Sequence, residues 1–176
     1  NRIDEIVVFH PLKREAMILA DVVSDRVRLV GAANTLLLTG GEVHADNTDL
    51  PGAVAAIRER YDGEVGDALI LGAGATAAST GLALAEVGAR RIFLAARTAS
   101  RASDTVAAIA AHPTRPQVTV LDLATVERRD VDVLVSTIPV VAQTTGLLER
   151  VGRPGLVFDV VYDPWPTPLA QAATGT

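Results

Sequence analysis

The stretch that decides the fold is Asp67–Ala77, with the sequence DALILGAGATA. A short apolar run leads through a glycine-rich turn into the alanine-rich segment Ala77–Val87. A strand, a G-x-G-x-x-A turn and a helix in this order are typical of dinucleotide binding. In such a motif Gly72 permits the tight turn, and Gly74 lets a pyrophosphate approach the backbone. Ala77 allows close packing of the helix on the strand. The N-terminus of the helix offers free N–H groups to the anion. The alternative to dinucleotide binding is that the glycines only form an ordinary turn between a strand and a helix.

Short apolar runs recur beyond this stretch, most of them separated by segments of helix length. Buried runs that alternate with helices indicate a parallel sheet covered on both faces. We therefore predict an α/β fold in which residues 63–176 form a Rossmann-like domain. The predicted strands are Asp67–Leu71, Arg90–Ala96, Gln117–Leu123, Asp132–Ile138 and Leu156–Val161. The predicted helices are Ala77–Val87, Ser100–Ala111 and Gln143–Arg150.

The first 62 residues follow a different pattern, which predicts a separate N-terminal domain of mixed helices and strands. Glu5–Phe9 is a β-branched run that predicts a strand. The spacing of apolar residues after Pro11 predicts an amphipathic helix that begins near that proline. Two apolar runs around Gly40-Gly41 predict a β-hairpin, and a further helix is expected from Leu50 to about Tyr61.

Composition excludes several classes of protein. Of 176 residues, 49% are hydrophobic, which is too many for a disordered chain. A net charge of −5 and an aromatic content of 3% disfavour nucleic-acid binding by a basic surface or by base stacking. The chain has no cysteine, so disulfides and zinc–thiolate sites are excluded, and we predict no metal site. Because no membrane span or signal peptide is evident, we expect a cytoplasmic protein without membrane partners.

The end of the second Rossmann strand predicts which cofactor binds. NAD-binding proteins usually carry Asp or Glu there for the ribose 2′-hydroxyl. This chain instead has Arg97, Thr98 and Arg101, which suit the 2′-phosphate of NADP. The alternative is that both arginines are surface residues at the start of a helix without a binding role, although positive charge is mildly unfavourable there. We predict NADP.

Three polar residues of the N-terminal piece are candidates for catalysis. Lys13 is the only lysine, Asn34 lies in GAANTL, and Asp49 ends the triplet NTD. A lysine and an aspartate in contact can relay a proton, as the reduction of a ketone beside a hydride donor requires. Equally, Asp49 could cap a helix, Asn34 could serve a turn, and Lys13 could be a solvated side chain.

Ordered motifs along nearly the whole chain resemble those of the shikimate dehydrogenase family. They are Pro11-Leu12-Lys13, Gly31–Leu36 (GAANTL), Asn47-Thr48-Asp49, Gly72–Thr76 (GAGAT), Ala96–Arg101 (ARTASR), Ser136–Pro139 (STIP) and Tyr162–Leu169 (YDPWPTPL). The excess of arginine and alanine resembles actinobacterial members. The resemblance implies a two-domain enzyme, monomeric or homodimeric, that reduces 3-dehydroshikimate to shikimate with NADPH in aromatic amino-acid biosynthesis.

The resemblance also implies roles for individual residues. Lys13 and Asp49 would form the catalytic pair, and Asn34, Asp49 and Tyr162 would bind the substrate. We also expect the nearby Asn47 to meet substrate hydroxyls. The implied cofactor-binding residues are Gly72, Ala73, Gly74, Ala75, Thr76, Arg97, Thr98, Arg101 and Val160, whose backbone would meet the nicotinamide. A quinate/shikimate paralogue that prefers NAD and a non-catalytic ligand-binding homologue are the alternatives.

The chain departs from the family pattern at several positions. Phe9 replaces a substrate-contacting threonine, while Val7 and Ala96 each replace an asparagine. The family's N-terminal serine pair and its C-terminal helix with a substrate-binding glutamine have no counterpart here. We therefore expect an incomplete N-terminal substrate domain, either because the sequence is a fragment or because residues have been omitted from it.

Overall fold

A computed structural model describes residues 4–7 and 12–174 of the chain, so Phe9 and Pro11 lie outside the described residues. Its N-terminal half contains a four-stranded sheet with the strand order β1-β3-β4-β2. The predicted hairpin is present as β3 and β4, which pair antiparallel from Thr35↔Asp46 to Thr39↔Glu42. The strands are β1 (Glu5–Val7), β2 (Val22–Val23), β3 (Thr35–Thr39) and β4 (Glu42–Asp46).

Three helices accompany this sheet, and one sequence prediction fails among them. The single helix expected after Pro11 is two helices with β2 between them. Ser24 ends the extended stretch because its hydroxyl accepts a hydrogen bond from the Val27 N–H, which starts a new helix. The helices are α1 (Lys13–Ile18), α2 (Asp25–Val30) and α3 (Asp49–Arg60).

The second sheet has five parallel strands in the order β7-β6-β5-β8-β9, as the alternation of strands and helices predicts. From β5 the chain first adds β6 and β7 on one side and then β8 and β9 on the other. This switch point between β5 and β8 opens a crevice at the carboxyl ends of the strands. The strands are β5 (Asp67–Leu71), β6 (Arg91–Ala96), β7 (Gln117–Asp122), β8 (Val133–Ser136) and β9 (Leu156–Asp159). The helices are α4 (Ala75–Glu86), α5 (Ser103–Ala110), α6 (Thr145–Val151) and α7 (Pro168–Thr174).

The central strand β5 explains why the sheet forms here. Its residues Ala68–Leu71 are completely buried, as a strand covered by helices on both faces requires. Burying a leucine or isoleucine side chain contributes about 1.5–3 kcal/mol to the stability of the folded protein. Leu69, Ile70 and Leu71 each make such a contribution. None of the described helices is long and apolar enough to cross a membrane.

The two halves join through helices α3 and α4. An apolar cluster between them includes Leu50 and Val54 from α3 and Ala78 and Leu82 from α4. This contact brings the start of α3, which carries Asp49, close to the start of α4, which follows the glycine-rich turn. The packing of the two helices therefore places the N-terminal polar residues beside the predicted nucleotide loop.

Candidate active site

Lys13 and Asp49 form an ion pair at the junction of the two halves. Lys13 Nζ lies 2.5 Å from Asp49 Oδ2, and the two side chains are 12% and 25% exposed. Lys13 begins α1 and Asp49 begins α3, so two separate helix starts fix their positions. Lys13 Nζ also donates to Thr76 Oγ1 at 3.4 Å, which links the pair to the first turn of α4. The pair is thus partly buried, still open to a ligand, and adjacent to the glycine-rich loop.

Asn34 fixes the orientation of the Asp49 carboxylate. Its Nδ2 donates to Asp49 Oδ1 at 2.7 Å and to Thr48 Oγ1 at 2.9 Å. Its Oδ1 accepts hydrogen bonds from the Thr48 N–H and the Thr35 hydroxyl. Each carboxylate oxygen therefore has its own donor, Asn34 on one side and Lys13 on the other. An ammonium has three donor hydrogens, and in the described part of the chain Lys13 uses two, which leaves one for a substrate oxygen.

Asn47 has a structural role, and the expectation that it meets substrate hydroxyls is wrong. Its side chain is completely buried, and Nδ2 donates to the Ala32 carbonyl at 3.0 Å. Its Oδ1 accepts hydrogen bonds from the Leu50 N–H and the Ser79 hydroxyl. Asn47 therefore secures the start of α3 and ties it to α4, so its polar atoms are not available to a ligand.

The two glycines of the glycine-rich loop have different roles. Gly72 has a φ of +112°, and a Cβ placed there would lie 2.2 Å from Thr137 Oγ1, so the protein itself requires this glycine. Gly74 differs, because its φ is −93° and a Cβ there would have no atom within 4 Å. The chain leaves open space in front of the α4 N-terminus, and this space fits an anion that approaches the backbone.

The predicted phosphate-binding side chains extend from the carboxyl end of β6. Arg97, Thr98 and Arg101 are all exposed. Among the described residues neither guanidinium has a hydrogen-bond or ion-pair partner, unlike Arg14 and Arg91, which pair with carboxylates. The helix predicted from Ser100 begins as a short 3₁₀ turn over Ala99–Arg101 and continues as α5. Both arginines are thus available to a phosphate group.

The segment after β9 carries the remaining predicted residues. The Val160 N–H donates to the Ser136 carbonyl, and Tyr162 is 77% exposed without a described hydrogen bond to the Lys13 pair. Asp159, which sequence analysis missed, holds this segment in place. Its Oδ2 accepts hydrogen bonds from Gln143 Nε2 at 2.8 Å and Thr167 Oγ1 at 2.7 Å. No pattern along the sequence marks this network, because its members come from three separate segments.

No group of three or more histidine, aspartate or glutamate side chains in the described residues could hold a metal ion. The charged side chains among the predicted site residues are Lys13, Asp49, Arg97 and Arg101. Three of these carry positive charge, which favours an anionic cofactor and an oxygen atom on which negative charge develops.

Comparison with known proteins agrees with the resemblance found in the sequence motifs. A shikimate dehydrogenase (NADP(+)) of Acidovorax sp. is 38% identical over 179 aligned residues, covering 94% of this chain. The chain is homologous to the shikimate dehydrogenases. The crystal structure of Mycobacterium tuberculosis shikimate dehydrogenase superposes with a TM-score of 0.80 at 34% identity over 98% of the chain. Quinate dehydrogenase of Corynebacterium glutamicum, in complex with NAD, has a TM-score of 0.80 at 24% identity, which shows a common fold alone.

The match covers only part of each relative. The chain spans 61% of the Acidovorax enzyme and 63% of the M. tuberculosis structure. No protein-family model matches the chain. The homology agrees with the motif-based resemblance and with the Rossmann-like fold of the parallel sheet.

Proposed function

We propose that the protein to which this chain belongs is an NADP-dependent oxidoreductase that interconverts 3-dehydroshikimate and shikimate. The observation that carries the proposal is the Lys13–Asp49 pair, held by Asn34 and lying beside Thr76 of the glycine-rich loop. A proton-relaying pair next to a dinucleotide loop is the arrangement that ketone reduction needs. Since the chain spans 61% of its Acidovorax relative, the activity is proposed for the whole protein.

The residues of this chain fit NADP. Gly72–Thr76 supply a tight turn and an open helix N-terminus for the pyrophosphate. Arg97 and Arg101, with the Thr98 hydroxyl, would bind the 2′-phosphate, and the backbone of Val160 would border the nicotinamide. The bound cofactor supplies a hydride to the substrate carbonyl carbon. The fold alone does not decide between NADP and NAD, and the two unpaired arginines favour NADP over the alternative of an NAD-dependent quinate paralogue.

The Lys13–Asp49 pair would handle the proton. In the reduction direction the carbonyl oxygen gains negative charge, and the Lys13 ammonium stabilises that charge through its remaining N–H. The pair supplies the proton that makes the alcohol, and it accepts that proton in the reverse direction. Asp49 keeps the ammonium in place, while Asn34 keeps Asp49 from rotating. General acid–base catalysis of this kind is typically worth about 10²–10⁴-fold.

Substrate binding would involve Asp49 and the exposed Tyr162. Asn34 would act through Asp49, because both hydrogens of its Nδ2 are already donated within the protein. Asp49 accepts hydrogen bonds from substrate hydroxyls with the lone pairs that Lys13 and Asn34 leave free. We propose that residues 1–62 form the substrate-binding and catalytic part and residues 63–176 the NADP-binding part. We further propose that the enzyme works in the cytoplasm as a monomer or homodimer, without nucleic-acid or membrane partners, in keeping with its net charge of −5.

The test is the oxidation of NADPH by the purified full-length protein with 3-dehydroshikimate. We expect turnover with NADPH that exceeds turnover with NADH. A cyclohexanone without ring hydroxyls should react roughly 10⁴-fold more slowly, because the polar groups of the site would be left unpaired. Preferred turnover of quinate with NAD would establish the paralogue instead. Tight binding of shikimate with no turnover in either direction would establish a non-catalytic binder.

A further inference from the structure

The hydroxyl of Thr105 touches the glycine-rich loop from α5. Thr105 is completely buried, and its Oγ1 donates to the Ala73 carbonyl at 2.9 Å and lies 3.5 Å from the Gly74 carbonyl. Ala102, which directly precedes α5, and Ile109 on α5 are fully buried apolar residues. A hydroxyl in such surroundings is unfavourable unless it is hydrogen-bonded, and here its partner is the backbone of the predicted pyrophosphate loop.

We propose that Thr105 is a positioning residue for the nucleotide-binding loop, an inference that rests on the proposed function. A trans peptide is planar, so the carbonyl of Ala73 and the N–H of Gly74 point in opposite directions. By holding the Ala73 carbonyl towards α5, Thr105 directs the Gly74 N–H away from α5. Among the described residues no acceptor is found for this N–H, and the space beside Gly74 is open. The threonine hydroxyl therefore fixes the direction of a free N–H donor that a bound pyrophosphate would use.

The same contact connects the two parts of the proposed NADP site. Thr105 lies four positions after Arg101 in the sequence. One segment therefore carries both the side chains proposed to bind the 2′-phosphate and the hydroxyl that holds the glycine-rich loop. Helix α5 is seated firmly on α4, since a Cβ at Gly81 would lie only 2.2 Å from Ile109 Cδ1. This close packing leaves α5 little freedom, which makes Thr105 a rigid support.

The experiment compares Thr105→Val with Thr105→Ser in the full-length protein, using isothermal titration calorimetry. NADP⁺ and 2′-AMP are the two probes, since 2′-AMP has the adenosine and the 2′-phosphate but lacks the pyrophosphate. Thr105→Val should weaken NADP⁺ binding about tenfold, the effect of losing one well-placed hydrogen bond, while changing 2′-AMP binding by less than about twofold. Thr105→Ser, which keeps the hydroxyl, should bind both probes within about twofold of the parent protein.

A matched control comes from Thr80, another buried threonine, whose hydroxyl donates to the Thr76 carbonyl at 3.0 Å within α4. Thr80→Val should lower the melting temperature to a similar extent without changing the ratio of NADP⁺ to 2′-AMP affinity. If Thr105→Val does not fold, Thr105→Ala replaces it with the same expectation. Unchanged NADP⁺ binding, equal weakening of both probes, or failure of the serine variant to retain binding would each overturn the inference. A parent protein that binds neither probe would instead refute the proposed function.

Discussion

Replacing Arg97 by alanine should reduce the preference for NADP over NAD. The guanidinium is exposed and has no partner among the described residues, so the substitution removes no hydrogen bond or ion pair to them. The free energy of unfolding should therefore change by less than about 0.5 kcal/mol, as for other surface positions. Any change in cofactor binding then reports directly on the 2′-phosphate.

The size of the effect follows from the chemistry of the contact. A hydrogen bond to a charged group contributes about 1.5–3 kcal/mol, and the exposure of Arg97 favours the lower end because solvent and salt screen the charges. About 1.4 kcal/mol corresponds to a tenfold change in Kd. We expect Arg97→Ala to raise the Kd of NADP⁺ about tenfold and to leave the Kd of NAD⁺ within about twofold.

The assay is calorimetric titration of both dinucleotides at low and at high ionic strength. Arg58→Ala provides the control, because Arg58 is another exposed arginine and lies on α3, a different element from β6. The tenfold effect should shrink as salt is added, since the interaction is between exposed charges. If the ratio of the two affinities is the same in Arg97→Ala and Arg58→Ala, Arg97 does not read the 2′-phosphate.

Two further predictions concern stability. Gly72→Ala should destabilise the protein by more than about 1 kcal/mol, through the φ of +112° and the contact with Thr137, whereas Gly74→Ala should not lower the free energy of unfolding measured in urea. Burial by itself raises the pKa of Asp46, but hydrogen bonds from Arg26 and Ser24 outweigh it, and the pKa lies below its usual value. Asp46 therefore contributes stability that is complete above about pH 4 and is lost as the pH falls through its lowered folded-state pKa, so the stability difference between the parent and Asp46→Asn should shrink on acidification.

Much of the fold follows from local sequence patterns. The parallel sheet was predictable because fully buried strands such as β5 are short and continuously apolar, and helix-length segments separate most of them. The hairpin was predictable from Gly40-Gly41. The break between α1 and α2 was not, because the apolar spacing after Pro11 also fits one longer helix. What ends α1 is a tertiary interaction, the pairing of Val22–Val23 with β4.

The arrangement of the candidate site is harder to predict from the sequence than the fold is. Lys13 and Asp49 are 36 positions apart, and Lys13 and Thr76 are 63 apart, so no spacing rule brings them together. Packing of α3 on α4 does so. Asn34 and Asn47 look alike in sequence, yet Asn34 holds the Asp49 carboxylate and Asn47 secures the start of α3. Only the direction of each side chain in the folded protein separates the two roles.

The most direct test of the account is the kinetics of Lys13→Ala, Asp49→Ala and the double variant with NADPH and 3-dehydroshikimate. Each single substitution should lower kcat by about 10²–10⁴-fold, since each removes one half of the proton-relaying pair. Because the two residues act as a unit, the double variant should be scarcely slower than the poorer single variant. The Kd of NADPH should stay within about twofold in all three, because the pair does not bind the pyrophosphate or the 2′-phosphate. A Lys13→Ala protein with near-normal kcat would contradict the central claim that this pair performs the proton transfer.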